Sequence, residues 1–197
     1  MDRNKRNLLT LVLAAGLCYR MSQLAEQRSS HSTMSVRVMH RLPNDSVLRR
    51  KASRVSSIDK SVHRLIGDMV ETMHHSDGVG LAAPQIGVPL RVIVVQMPDE
   101  EPIAIINPEI VKRSGEREVS EACLSVPGYG GEIKRSVSVT VKGRDQQGKA
   151  FRIRASGLLA QALEHEIDHL DGTLFIDHIE NQDKLHKIEP ETEAMGM

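Results

Sequence analysis

Hydrophobic side chains recur at helical spacing in the first half of the chain. Six apolar positions follow the i, i+3, i+4, i+7 pattern of one helix face: Val62, Leu65, Ile66, Met69, Val70 and Met73. This spacing predicts an amphipathic helix that ends before Gly78. Ser56 or Ser57 is available as its N-cap, because a hydroxyl there can accept a hydrogen bond from a free backbone N–H.

Shorter apolar and alternating segments predict strands after this helix. Residues 91–97 and 102–106 are short apolar runs, whereas Val137, Val139 and Val141 alternate with polar residues. A second helix is expected over residues 157–171, closed by Gly172. Strands and helices do not alternate regularly, so the order predicts an α+β fold with antiparallel or mixed sheets packed around the second helix.

Length and charge place few limits on function. The 197 residues suffice for one well-buried core, and we expect a single domain over residues 35–180. An N-terminal extension, residues 1–34, and a polar mobile tail, residues 181–197, would flank it. Lys plus Arg (26) equals Asp plus Glu (26), so no overall field favours nucleic acid or an anionic membrane.

The N-terminal segment leaves the cellular location open. Basic residues precede an apolar run over residues 8–18, as in a signal peptide, but the run is too short to span a bilayer. Leu17 also stands where a small residue should precede a cleaved or lipidated Cys18. We therefore expect a cytoplasmic protein with a dispensable extension, or a start at Met34, with export or organelle targeting as the alternative.

Basic residues are concentrated over residues 37–54, where Asp45 is the one acid in the sequence. A solvated basic face is the simpler interpretation of this segment, and contact with ribosomal RNA is the alternative.

The sequence His165-Glu166-Ile167-Asp168-His169 carries the clearest chemical signal. On a helix, H-E-x-x-H sets two imidazoles one turn apart, so that both can reach one metal ion. A helical wheel turns both histidines, Glu166 and Leu158 toward the core, and Glu164 and Asp168 toward solvent. A buried lone carboxylate needs a cation, a hydrogen bond or a catalytic role. The alternative is a pair of core histidines satisfied by hydrogen bonds.

A third metal ligand has to come from elsewhere in the chain. Cys123 is the candidate, because a thiolate binds zinc or ferrous iron strongly and Pro127-Gly128 nearby indicates a turn at a strand end. A single cysteine is, however, more often a small buried hydrophobic residue. The linear sequence alone does not bring Cys123 to the histidines.

Residues 78–87 form a glycine-rich segment that formally matches the dinucleotide fingerprint G-x-G-x-x-A. That fingerprint follows a strand and opens a helix, whereas here a helix precedes it and Pro84 interrupts any helix that follows. We therefore reject nucleotide binding. A glycine-lined strand that lets a substrate backbone approach closely fits better.

Together these segments resemble the three motifs of the peptide deformylases. The family motifs G-x-G-L-A-A-x-Q, E-G-C-L-S and Q-H-E-x-D-H correspond, in the same order, to residues 78–85, 121–125 and 164–169, and the resemblance covers residues 36–177. It implies hydrolysis of the N-formyl group from N-formylmethionine at the start of nascent polypeptides, with release of formate. It also implies formyl-methionyl nascent peptides as partners, transient ribosome association, a monomer, and neither DNA nor a membrane as partner.

The resemblance also implies a role for individual residues. Cys123, His165 and His169 would hold one divalent metal, ferrous iron being typical and zinc, nickel or cobalt possible. Glu166 would be the catalytic acid and base, and Gln85 with the Leu124 backbone N–H would stabilise the oxyanion. Gly80 and Glu121 would contact the substrate.

Two positions depart from the family pattern. Ala122 stands where the family has Gly, so the site would be strained if that backbone needs a positive φ. Glu164 replaces the usual Gln. Neither departure removes a catalytic group.

Two other functions compete with this one. A zincin peptidase shares H-E-x-x-H, but Phe175 stands where its third histidine belongs, which leaves only Glu180 as a possible carboxylate ligand. A non-catalytic metal-binding or ribosome-docking module that has kept the fold is the rival from another class. It would hold metal and release no formate.

Overall fold

The computed structural model describes residues 34–43 and 45–188. The apolar N-terminal run and the end of the polar tail lie outside these residues. The described residues from Ser35 onward form one compact unit. The described part contains two α-helices, eight β-strands and four short 3-10 helices. None of its helices is both long enough and apolar enough to cross a bilayer.

Helix α1 spans Lys60–His75 and buries the apolar face that its spacing predicts. Its N-cap is Asp59, whose carboxylate accepts hydrogen bonds from the backbone N–H groups of Ser61 and Val62. The expectation of Ser56 or Ser57 as N-cap was therefore wrong. A carboxylate also interacts favourably with the positive end of the helix dipole, which favours Asp59 over a hydroxyl.

Five strands form the larger sheet, in the order β1-β2-β3-β6-β7, with every neighbouring pair antiparallel. Their bounds are β1 Gly80–Ala82, β2 Val92–Val95, β3 Ile103–Ser114, β6 Ser138–Arg144 and β7 Ala150–Ser156. A 3-10 helix, Ala83–Ile86, follows β1 directly, so this segment has no strand-to-long-helix turn for a dinucleotide.

A smaller antiparallel sheet has the order β4-β5-β8, with β4 Arg117–Cys123, β5 Val126–Arg135 and β8 Leu185–Lys187. The sequence pattern missed β4 and β5, because their apolar positions are interrupted by charges and glycines. β8 pairs with β5 through Gly130 and His186. Backbone pairing therefore continues to Lys187, within the segment from residue 181 that the sequence analysis assigned to a polar tail.

Helix α2 spans Gly157–Asp171 and ends at Gly172, whose φ is 78°. It packs against the larger sheet, with Ile93, Ile105 and Val141 in the same apolar cluster as Leu163 and Ile167. Helix α1 packs in a second cluster on the alternate residues of the same strands. The expectation of an α+β fold with antiparallel sheets is confirmed.

The helical wheel for α2 was wrong at three positions. Glu164 is buried, with hydrogen bonds from Ser136 and Arg113, and Asp168 is mostly buried beside Arg135. The end of β5 and the chain leading into β6 cover the side of α2 that the wheel assigned to solvent, and they bring partners for both acids. Leu158, expected in the core, is exposed at the first turn of the helix.

Candidate metal centre and active site

Helix α2 and strand β4 bring three metal-binding side chains together. The ligand atoms of Cys123, His165 and His169 all lie within 4.8 Å of one another. The Cys123 Sγ is 3.2 Å from the His169 Nε2. Ligands bound to one zinc ion at ordinary bond lengths and tetrahedral angles would be about 3.5 Å apart. The sulfur therefore lies within reach of an ion that both imidazoles can bind.

The end of β4 sets the position of the thiol. Cys123 is its last residue, and the chain turns at Leu124-Ser125 before β5 begins. Pro127-Gly128, expected to form this turn, lies instead in an irregular part of β5, where the register jumps between Ala122 and Cys123. Ala122 is paired with Gly130 and has no positive φ, so replacing the family glycine does not strain the backbone.

Glu166 is a buried carboxylate beside this group. Its side chain is almost fully covered, and its Oε2 has no hydrogen-bond partner among the described residues. Burial raises the pKa of Glu166 to about 7. A carboxyl group with such a pKa can both accept and return a proton at neutral pH.

The backbone of β1 leaves room for Glu166. A Cβ atom added at Gly80 would fall inside contact distance of the Glu166 Oε1 and only 3.0 Å from its Cδ. Strand β1 also lies at the edge of the larger sheet. Glycine is thus required at position 80 for the carboxylate to approach the strand so closely.

Glu121 holds the first histidine in place. One carboxylate oxygen is 2.8 Å from the His165 Nδ1, which leaves the Nε2 free to face the thiol. Arg135 donates two hydrogen bonds to the same carboxylate and a third to Asp168. Burial alone would raise the pKa of Glu121, but the contacts with His165 and Arg135 lower it to about 2. Glu121 is therefore ionised, and both of its carboxylate oxygens are engaged within the protein.

Gln85 presents a fixed amide to the site. Its Oε1 accepts a 2.8 Å hydrogen bond from the backbone N–H of Ala82, which can only donate. The Nε2 therefore lies on the other side, 3.3 Å from the Ser125 Oγ and 3.9 Å from the Cys123 Sγ. This donor points toward the same space as the metal-binding atoms.

These groups border one open pocket of about 170 Å³. Its lining includes seven of the eight residues selected from the sequence: Gly80, Gln85, Glu121, Cys123, Leu124, His165 and Glu166. The eighth, His169, is buried behind them. Val79 and Leu158 add apolar surface at the mouth, and both are exposed. The pocket can therefore take an apolar side chain next to the polar groups.

The residues fit a divalent metal ion. A thiol and two imidazoles are a ligand set typical of zinc and iron sites, and three protein ligands leave a position open. Burial lowers the pKa of His169 far below its usual range, so its imidazole is neutral, as a ligand must be. Burial opposes protonation of His165 too, yet Cys123 and Glu121 raise its pKa well above the usual value. A site that favours a proton so strongly would also favour a metal cation.

Comparisons with known proteins agree with this geometry. The family model described as polypeptide deformylase matches residues 38–185. A peptide deformylase from Dehalococcoides mccartyi (strain CBDB1) is 55% identical over 161 residues, which are 81% of this chain and 96% of that protein. The chain belongs to the peptide deformylase family. Its members are hydrolases that remove the formyl group from nascent peptides, and the sequence-based function is confirmed.

Solved peptide deformylases have the same fold. The crystal structure from Legionella pneumophila superposes with a TM-score of 0.73 at 47% identity, covering 76% of this chain and 89% of that one. The peptide deformylase from Synechococcus elongatus in complex with actinonin gives 0.72 at 40% identity, covering 78% of this chain and 83% of that one.

The peptidase alternative does not fit the structure. Glu180, its one possible carboxylate ligand, is exposed and forms an ion pair with Lys134. Phe175 is buried in the apolar cluster of the smaller sheet. Sequence reasoning missed Arg135 and Ser125, which hold Glu121 and Gln85. Ser125 ends the E-G-C-L-S motif, but the motif gave its side chain no role. No linear motif marks Arg135, because it acts through contacts that only the fold creates.

Proposed function

We propose that this chain deformylates N-formylmethionyl nascent polypeptides through a divalent metal held by Cys123, His165 and His169. The observation that carries the proposal is the convergence of these three ligand atoms beside the buried Glu166 carboxylate. When bound, such an ion lowers the pKa of a coordinated water and so supplies a nucleophile at neutral pH.

Glu166 acts as the acid and base of this reaction. Its carboxylate accepts a proton from the attacking water, which adds to the formyl carbon. It then returns the proton to the departing amine, so that formate and a free α-amino group leave. The pKa of about 7 supports both steps, since a group with this pKa exchanges its proton readily at neutral pH.

Gln85 and Leu124 stabilise the charge that develops on the formyl oxygen. The Gln85 Nε2 is oriented by the Ala82 N–H, so it needs no reorganisation when the oxyanion forms. The backbone N–H of Leu124, in the turn after β4, is the second donor. Loss of one donor of this kind typically costs about 2.7–4 kcal/mol of transition-state stabilisation.

The edge of β1 at Gly80 pairs with the substrate backbone, as a strand added to the sheet. Glu121 orients His165 instead of binding substrate. A carboxylate on the second nitrogen of a ligand histidine fixes its tautomer and raises its basicity.

Iron is the metal we propose, with zinc, nickel or cobalt able to occupy the same ligands. We further propose a cytoplasmic monomer that meets the ribosome transiently, because its substrates are chains under synthesis. Activity that declines on prolonged aeration would support iron, since thiolate and ferrous iron both oxidise. Activity that persists would indicate zinc or nickel.

Formate release from a formyl-methionyl tripeptide, with metal content measured on the same anaerobic sample, tests the proposal. We expect Glu166→Ala to keep the metal and lose about 100- to 10,000-fold in turnover. Glu164→Gln is the matched control, because that neighbouring carboxylate is buried but bonded to Ser136 and Arg113. Metal-loaded wild type without formate release would favour a non-catalytic module. Cleavage of unformylated peptides would instead support the alternative that this protein is a zincin peptidase.

A further inference from the structure

The larger sheet has an exposed face that is rich in positive charge. Arg144 is paired with Ile106, which packs under α1, so both side chains lie on the α1 face of the sheet. Alternation along β6 and β7 continues this face beyond the helix. Its outward positions there hold five basic residues: Lys112, Lys142, Arg144, Arg152 and Arg154.

These charges lie close together, and only one of the five is matched by an acid among the described residues. Lys142 is directly opposite Arg152, and Thr140 lies between Lys112 and Arg154 in neighbouring strands. Like charges on opposed residues of a sheet destabilise it. Lys142 is neutralised by Glu109 at 3.0 Å. Within the described residues, Lys112, Arg144, Arg152 and Arg154 have no carboxylate within ion-pair distance.

The face includes an open pocket of about 490 Å³ beside β6 and β7. Arg54 adds another cation to its lining. The chain as a whole carries no net charge, so this concentration is local. A one-sided array of guanidinium groups is suited to phosphates, which arginine binds through paired hydrogen bonds.

We propose that this basic sheet face binds the phosphate backbone of RNA. Arg152 and Arg154 are two residues apart on one strand, about 6.6 Å, so the cations form a repeating row that matches a repeating polyanion. The outward residues of β6 and β7 are otherwise Ser, Thr and Ala, which offer no apolar anchor for a bilayer. The face is on the opposite side of the sheet from α2, which leaves the metal pocket accessible.

Binding of a fluorescein-labelled 20-nucleotide oligo(U) tests this proposal. The four unpaired cations of the strands and Arg54 of the pocket would together give a slope near −3.5 in log K against log salt. That slope corresponds to about 100-fold weaker binding at 200 mM than at 50 mM salt. The triple variant Arg144→Glu, Arg152→Glu, Arg154→Glu should reduce the magnitude of this slope by about 2. It should also abolish most binding at 50 mM salt. Its turnover of a formyl-methionyl tripeptide should be unchanged.

The matched control reverses the same number of charges on the smaller sheet: Lys134→Glu, Lys184→Glu, Lys187→Glu. It should bind oligo(U) like the wild type. Equal losses in both variants, or no wild-type binding at 50 mM salt, would overturn the proposal. So would binding to phosphatidylglycerol vesicles without binding to RNA, which would make the face a membrane contact. If the triple variant misfolds, Arg→Gln at the same positions should still reduce the salt slope.

Discussion

Adding one methyl group at Gly80 should disable Glu166 without touching any metal ligand. The new Cβ would lie 3.0 Å from the Cδ and Cγ of Glu166, whereas carbon atoms in contact prefer about 3.5–4.0 Å. The carboxylate would therefore have to move by roughly 0.5–1 Å. Misplacement on this scale can cost about 100-fold in rate, or ~2.7 kcal/mol in the activation barrier.

The assay compares kcat for formate release by wild type, Gly80→Ala and Gly78→Ala, with metal content measured for each. Gly78→Ala is the control from the same segment, since its Cβ would meet the Gly80 oxygen at 3.3 Å and the Leu124 Cδ1 at 3.4 Å. We expect full metal content in all three proteins and a large loss of kcat only for Gly80→Ala. A Gly80→Ala enzyme with wild-type kcat would refute the argument that Glu166 needs this space.

Three further outcomes can be measured. Asp59→Ala should lower the free energy of unfolding, seen as a lower urea midpoint, because α1 loses its N-cap. Glu121→Gln should be less stable than wild type above pH 4.5, and the gap should close as pH falls toward 2. The folded pKa of Glu121 is depressed, so its stabilising ionisation is lost over that range. Cys123→Ser should bind metal more weakly in equilibrium dialysis, and an unchanged affinity would remove the thiol from the ligand set.

Local pattern was sufficient for the parts of the fold that repeat regularly. The apolar face of α1 and the alternation in β6 follow single periods, and Gly172 closes α2 where a left-handed residue is needed. The selected site residues also came from local motifs, and the fold brings Cys123 to His165 and His169 as the resemblance implied.

Long-range contacts account for what the sequence did not predict. The helical wheel placed Glu164 on the solvent side, because a wheel takes account of the helix alone. It contains no information on the Ser136 N–H, which donates a hydrogen bond to Glu164 in the folded chain. The residues of strand β8 were assigned to the tail, because so short a segment has no pattern of its own. It forms a strand only by pairing with the edge of β5. Arg135 gave no signal, since its role depends on Glu121 and Asp168 meeting across two elements.

The meeting of Cys123 and His169 has a consequence for the lifetime of the protein. The two residues are separated by 46 positions in the chain. An ion bound to both would close that loop as a disulfide does, and a chain-entropy model assigns about 4 kcal/mol to a crosslink of this length. The supply of metal in the cell would then govern resistance to proteolysis as well as catalysis, and chains made under metal shortage would be degraded first.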